Sequence, residues 1–150
     1  MTAGGTVVLA TRNPGKLREL GRILGGSGAR IRLAGLGQFP GAPDAPETGA
    51  TFEENALAKA RAIAAATGLP AVADDSGLCV DALRGMPGVL SARWAGRHGD
   101  DKANLDLVLA QVADVPGSRL GARFVCAAAL VVPGRRPDAP DPGRPVPDPG

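Results

Sequence analysis

Short apolar runs alternate along this chain with segments whose apolar residues recur at helical spacing. That alternation confines the fold to an α/β layer architecture with a largely covered sheet. "TVVLA" (6–10), "RIRLAGL" (30–36) and "LPAVAD" (69–74) read as short buried strands, "GLCVDAL" (77–83) as strand-like, and "ARFVCAAALVV" (122–132) as a long central strand. Between them, residues 15–26 place Leu17, Leu20, Ile23 and Leu24 on one helical face and stop at glycines. Residues 51–68 start with the capping-box pair Thr51 and Glu54 and end at Gly68. Residues 101–114 present Leu105, Val108, Leu109 and Val112 as a third helix. Residues 37–50, rich in Gly, Pro, Asp and Glu, read as loop. Residues 133–150 hold half of the chain's 14 prolines and almost nothing apolar, so they read as a disordered tail.

Several function classes are disfavoured by composition. With 3% aromatic residues and no Tyr, the chain lacks stacking platforms for single-stranded nucleic acid, and a net charge of +2 is too weak to point to a polyanion partner. No basic leader precedes an apolar core, and no apolar run approaches the roughly 20 residues of a membrane helix. A cytoplasmic protein is expected. Cys79 and Cys126 lie in apolar runs and read as buried free thiols.

Three clusters could carry chemistry. In "TRNPGK" (11–16) a strand runs through a polar corner into a helix start. Backbone N–H groups, the helix dipole, Thr11, Asn13 and Lys16 would suit phosphates there, although a polar loop that merely caps the helix fits equally. "ADDSG" (73–77) places adjacent carboxylates after an apolar run. One of Asp74 and Asp75 is expected to face the pocket, with magnesium mediating between carboxylate and phosphate; an Asx turn at a strand end is the bland alternative. In "ETGATFEENALAKAR" (47–61), Glu53 and Glu54 suit the helix dipole, Glu47 is freer to bind metal, and Asn55 and Lys59 share a face. His98, Arg93 and Arg97 read as surface groups, with Arg93 the one able to reach an anion, and Trp94 as packing.

Taken together, "TRNPGK", "ETGATFEENALAKARA", "ADDSGLCVDALRGMPGVLSARWAG" and "ARFVCAAALVV" resemble the Ham1-like inosine/xanthosine triphosphate pyrophosphatases, over roughly residues 5–132. The resemblance implies an α/β fold with a mixed central sheet flanked by helices, usually a homodimer. It implies magnesium-dependent attack of water on the α-phosphorus of ITP, dITP or XTP. Thr11, Arg12, Asn13, Pro14, Gly15 and Lys16 then match the triphosphate loop, and Lys59 and Ser76 match substrate-binding positions. Asp75 matches the general base and a metal ligand, and Glu47 the second acidic ligand, with Glu53, Glu54 and Asp74 as other candidates for that place. Purine nucleoside triphosphates are the implied partner; neither nucleic acid nor membrane is expected.

The resemblance stops at Val132. Family members continue with a G-F-G-Y-D-P-like segment and an S-H-R motif that contact the base, and neither occurs in this sequence. Residues 1–132 therefore read as a C-terminally truncated Ham1-like domain, with an apolar edge or face expected to lie open to water. Two other readings remain: a phosphate-binding remnant with weak or no activity and a tendency to aggregate, and a structural domain whose Pro-rich tail binds a partner.

Overall fold

A computed structural model describes residues 4–134. Four strands and three helices alternate through it: β1 (Thr6–Leu9), α1 (Pro14–Gly26), β2 (Arg32–Gly35), α2 (Phe52–Thr67), β3 (Ala71–Val80), α3 (Asp101–Gln111) and β4 (Ala122–Val131). The strands form one mixed sheet in the order β2-β1-β3-β4. β1 is parallel to both β2 and β3, whereas β3 and β4 are antiparallel. The expected α/β architecture with a mixed central sheet is therefore present. Among the described residues no helix is long and apolar enough to cross a membrane.

Local sequence explains α2 most fully. The Thr51 hydroxyl accepts from the Glu54 N–H at 3.1 Å, and Gly68 closes the helix in the left-handed conformation (φ 67°). In return, the Glu54 carboxylate accepts from the Ala50 N–H rather than from that of Thr51, so the capping box closes one residue upstream of its usual place. Phe52, Ala56, Ala60, Ile63 and Ala64 bury one stripe of the helix. Ile63 and Ala64 join Val8, Leu36, Ala42 and Ala71 in the core, with Val131 of β4 packed against it. Alanine predominates at these contacts and lets the helix approach the sheet closely.

Two apolar runs, expected as separate pieces on either side of "DSG", are one strand. β3 runs unbroken through Asp74, Asp75 and Ser76 because β4 pairs with it residue for residue from Ala71↔Val131 to Val80↔Ala122. Ten register pairs override the turn tendency of Asp-Ser-Gly, and the Asx-turn reading is corrected accordingly.

The sheet is less covered than its composition suggests. Val125, Ala127, Ala129 and Val131 of β4 are half-buried, but Phe124 is 83% exposed, Leu130 is 60% exposed and Cys126 is exposed. Cys79 is buried as expected; Cys126 is not, because it projects from the uncovered face. The apolar stripes of the other helices are likewise only partly used. No residue of α1 is buried and Ile23 is exposed, while α3 buries Asn104 and Val108 and leaves Leu105 and Leu109 in solvent. From residue 135 onward, the Pro-rich tail lies outside the described residues.

Candidate functional site

The site exists because β3 outruns β1. Within β3, β1 pairs only with Ala71 and Val72, and just past its end the Ala10 N–H donates to the Val72 carbonyl at 2.8 Å. Beyond Val72, β3 and β4 continue as a two-stranded ribbon, and the loop after β1 faces the free edge of β3. A crevice of about 190 Å³ opens there. Lys16, Glu47, Lys59, Asp74, Asp75 and Ser76 line it. It lies off the carboxyl end of β1, where the chain order reverses between β2 and β3, the usual ligand position in open α/β sheets.

Asp75 is buried on the α2 side of β3. Asn55, 1% exposed, donates from Nδ2 to Asp75 Oδ2 at 3.0 Å and accepts from the Gly49 N–H at Oδ1, 2.7 Å away. One helical turn on, the Lys59 ammonium pairs with Glu47 Oε1, lies 3.5 Å from Asp75 Oδ1, and donates to the Asp74 carbonyl at 3.4 Å. Burial alone would lower the Lys59 pKa. The hydrogen bond and charge of Glu47, and then Asp75, outweigh burial and hold it above the ordinary 10.5. One ammonium thus sits between two carboxylates contributed by residues 28 positions apart.

The polar corner after β1 supplies one side chain to this crevice. Asn13 is the N-cap of α1: its Oδ1 accepts from the Gly15 N–H at 2.9 Å, Thr11 Oγ1 accepts from the Asn13 N–H at 3.1 Å, and Pro14 takes the first helical position. Thr11, Asn13, Pro14 and Gly15 therefore shape the helix start, and they are not among the residues lining the crevice. Lys16 reaches it and pairs with Asp74 Oδ2 at 2.6 Å. Arg12 turns the other way, to Asp44 Oδ1 at 3.1 Å, and lines a neighbouring cavity of about 610 Å³ that shares Glu47, Lys59 and His98 with the crevice.

Other expectations need correction. Asp74 and Asp75 alternate across the strand, yet both line the crevice, because Lys16 approaches from one side of the ribbon and α2 from the other. Of the acidic residues near α2, Glu54 is engaged in the cap and Glu53 is exposed, which leaves Glu47 beside Asp75. His98 is exposed, as expected, but rims both cavities. Arg93 is not solvated: it is half-buried, and its Nη2 donates to the Glu47 carbonyl at 3.2 Å. Trp94 donates from Nε1 to Gln111 Oε1. Sequence reasoning missed the role of Asn55 in fixing Asp75, although its i,i+4 relation to Lys59 was a signal. Arg93, expected to be able to reach an anion, does stand 3.7 Å from Glu47 Oε2, but no local signal marked its bond to the Glu47 backbone.

Residues 7–140 match the Ham1 family. The chain belongs to the Ham1 family. It is 63% identical over 127 residues to a Streptomyces coelicolor protein named dITP/XTP pyrophosphatase, covering 85% of this chain and 64% of that one. A Nocardia farcinica protein of the same name is 68% identical over 129 residues, covering 85% and 63%. This Ham1 chain thus spans a little under two thirds of the length of these relatives. Among solved structures, the Mycobacterium abscessus nucleoside-triphosphatase / dITP/XTP pyrophosphatase matches with a TM-score of 0.76 at 58% identity, over 85% of this chain and 66% of that one. The Staphylococcus aureus Ham1 protein matches with a TM-score of 0.75 at 36% identity, over 87% and 65%. The mixed sheet flanked by helices is therefore the Ham1 fold.

Proposed function

We propose that this chain hydrolyses ITP, dITP and XTP to the nucleoside monophosphate and pyrophosphate, with Mg²⁺, in the cytoplasm. One observation carries the reading: an ammonium bridges Glu47 and Asp75 in a crevice that also holds Lys16. Two carboxylates that share a cation, beside a second lysine, form a place for a metal-bound polyanion. The name dITP/XTP pyrophosphatase carried by relatives about 60% identical supports hydrolysis over a phosphate-binding remnant.

The donor set fits magnesium. Among the described residues no group of three or more His, Cys, Asp and Glu is arranged to cage an ion. Magnesium instead takes one or two carboxylates and completes its shell with waters and substrate phosphates, which matches Glu47 with Asp75. When bound, the ion neutralises the polyphosphate and acidifies coordinated water.

The chain's own groups then divide the work. Asn55 fixes the Asp75 carboxylate through one hydrogen bond to Oδ2, which leaves lone pairs to ligate a metal and to take the proton of the attacking water. That water attacks the α-phosphorus, the bond to the bridging oxygen breaks, and pyrophosphate leaves. Lys16 and Lys59, released from their carboxylates, stabilise charge on the leaving group. Thr11, Arg12, Asn13, Pro14 and Gly15 order the loop that presents Lys16, and Ser76 lines the crevice beside Asp75.

Pyrophosphate release from dITP tests the proposal. The full chain with Mg²⁺ is expected to release pyrophosphate from dITP, and Asp75→Asn to lose about three orders of magnitude in turnover, within the range of general-base contributions. Equal turnover by wild type and Asp75→Asn would remove Asp75 from the mechanism, and no release from dITP would remove the activity.

A further inference from the structure

We propose that Arg93 is a positioning residue that sets where Glu47 stands relative to Asp75. The inference rests on the reading of those two carboxylates as metal ligands. Glu47 belongs to a stretch between Phe39 and Thr51 that contains no helix or strand. The stretch is tied at its ends. Arg12 Nη2 reaches the Ala42 carbonyl at 3.5 Å, and the Gly49 N–H donates to Asn55 Oδ1 at 2.7 Å. Between those ties, the hydrogen bond that holds the Glu47 backbone comes from Arg93 Nη2 at 3.2 Å, across 46 residues of sequence.

Arg93 is itself anchored to the strand that carries Asp75. It ends a 3-10 segment, Gly88–Arg93, whose Ser91 hydroxyl accepts from the Leu78 N–H of β3 at 2.9 Å and donates to the Gly88 carbonyl at 2.6 Å. Position is thus passed from β3 through Ser91 to Arg93 and on to the Glu47 backbone. The charge contact is secondary, since Arg93 Nη1 is 3.7 Å from Glu47 Oε2. This matters when the ammonium of Lys59 leaves the carboxylates. The Arg93 bond to a backbone carbonyl does not compete with a ligand for the carboxylate, so it survives that exchange and holds Glu47 in place. Without it, metal binding would have to re-order that stretch, a cost on the order of one backbone residue or roughly tenfold in affinity.

A charge-competition role predicts the opposite sign, because removing a nearby guanidinium would tighten cation binding. Mn²⁺ binding to the nucleotide-free full chain, followed by EPR, separates the two. Arg93→Gln is expected to weaken Mn²⁺ binding roughly tenfold, and Arg93→Lys about threefold, since lysine keeps the charge but not the planar two-nitrogen reach. In a Glu47→Gln background, Arg93→Gln should change affinity by less than about twofold, because the residue acts through Glu47. Unchanged or tighter binding in Arg93→Gln overturns the proposal. So does a full additional loss in the double variant, or a wild-type chain that binds no Mn²⁺. Failure of the pyrophosphatase reading looks different: no pyrophosphate is released from dITP, while Mn²⁺ binding still depends on Arg93.

Discussion

Replacing Lys59 with glutamine leaves Glu47 and Asp75 without the ammonium they share, and the cost can be worked from the geometry. At the 3.5 Å separating Lys59 from Asp75, unit charges attract by about 5 kcal/mol at an effective dielectric constant of ~20. The Lys59 side chain is 21% exposed, so screening and the relief of its desolvation offset much of that. The net loss should be about 1–3 kcal/mol, between the values for exposed and buried pairs. For a chain of this size that is roughly 3–10 °C in melting temperature. Differential scanning calorimetry with chelator should show this gap, and saturating Mg²⁺ should close more than half of it, because a divalent ion supplies the positive charge that the variant lacks. The pH dependence has a fixed sign. Lys59 is held above its ordinary 10.5, so its contribution is fully present below that value and is lost as pH rises through the raised one. The gap between wild type and Lys59→Gln should therefore be flat from about pH 6 to about pH 9 and narrow only above about 10.5. A gap indifferent to Mg²⁺, or one that narrows between about pH 7 and 9, would refute the idea that lysine and metal exchange at one place.

Two further perturbations probe the frame around the crevice. A Cβ on Gly77 would press into the Gly88 carbonyl and stand 2.6 Å from Ser91 Oγ and 3.0 Å from Phe52 Cε1. Gly77→Ala should therefore cost about 2 kcal/mol or more in denaturant unfolding, and a loss under about 0.5 kcal/mol would show that β3 and the 3-10 segment are not locked together. Phe124 is 83% exposed on the open face of β4, so Phe124→Ser should change stability by no more than about 0.5 kcal/mol. The same change should cut binding of the hydrophobic dye ANS and slow aggregation, whereas strong destabilisation would mean the ring is packed in solution.

What the sequence made legible is what has a local cause. Thr51, Glu54 and Gly68 mark the ends of α2 because capping bonds act within one turn, and the structure shifts only the return bond, from Thr51 to Ala50. Asn13 and Pro14 mark the start of α1 for the same reason. Local rules failed where a distant partner decides. "DDSG" has the composition of a turn, and it is strand because Asp74–Gly77 lie opposite Val125–Ala128. Cys126 sits in an apolar run that reads as buried, and its exposure depends on the sheet face rather than on its neighbours in sequence.

The candidate site combines both kinds of cause. Helical period places Asn55 and Lys59 on one face, which is readable from spacing alone. That this face meets Asp75 follows from the burial of Ala56 and Ala60, small enough to bring α2 against β3 with the two polar side chains beside the contact. A larger residue at either alanine would lift the helix from the strand and separate Lys59 from Asp75 without altering any group in the crevice. The spacing of the charges is in that sense a property of the packing, and so is the reach of Arg93 to Glu47. The family resemblance could name Asp75 and Glu47 as partners, but the approach of α2 to β3 that brings Lys59 to Asp75 is set by alanines that carry no charge.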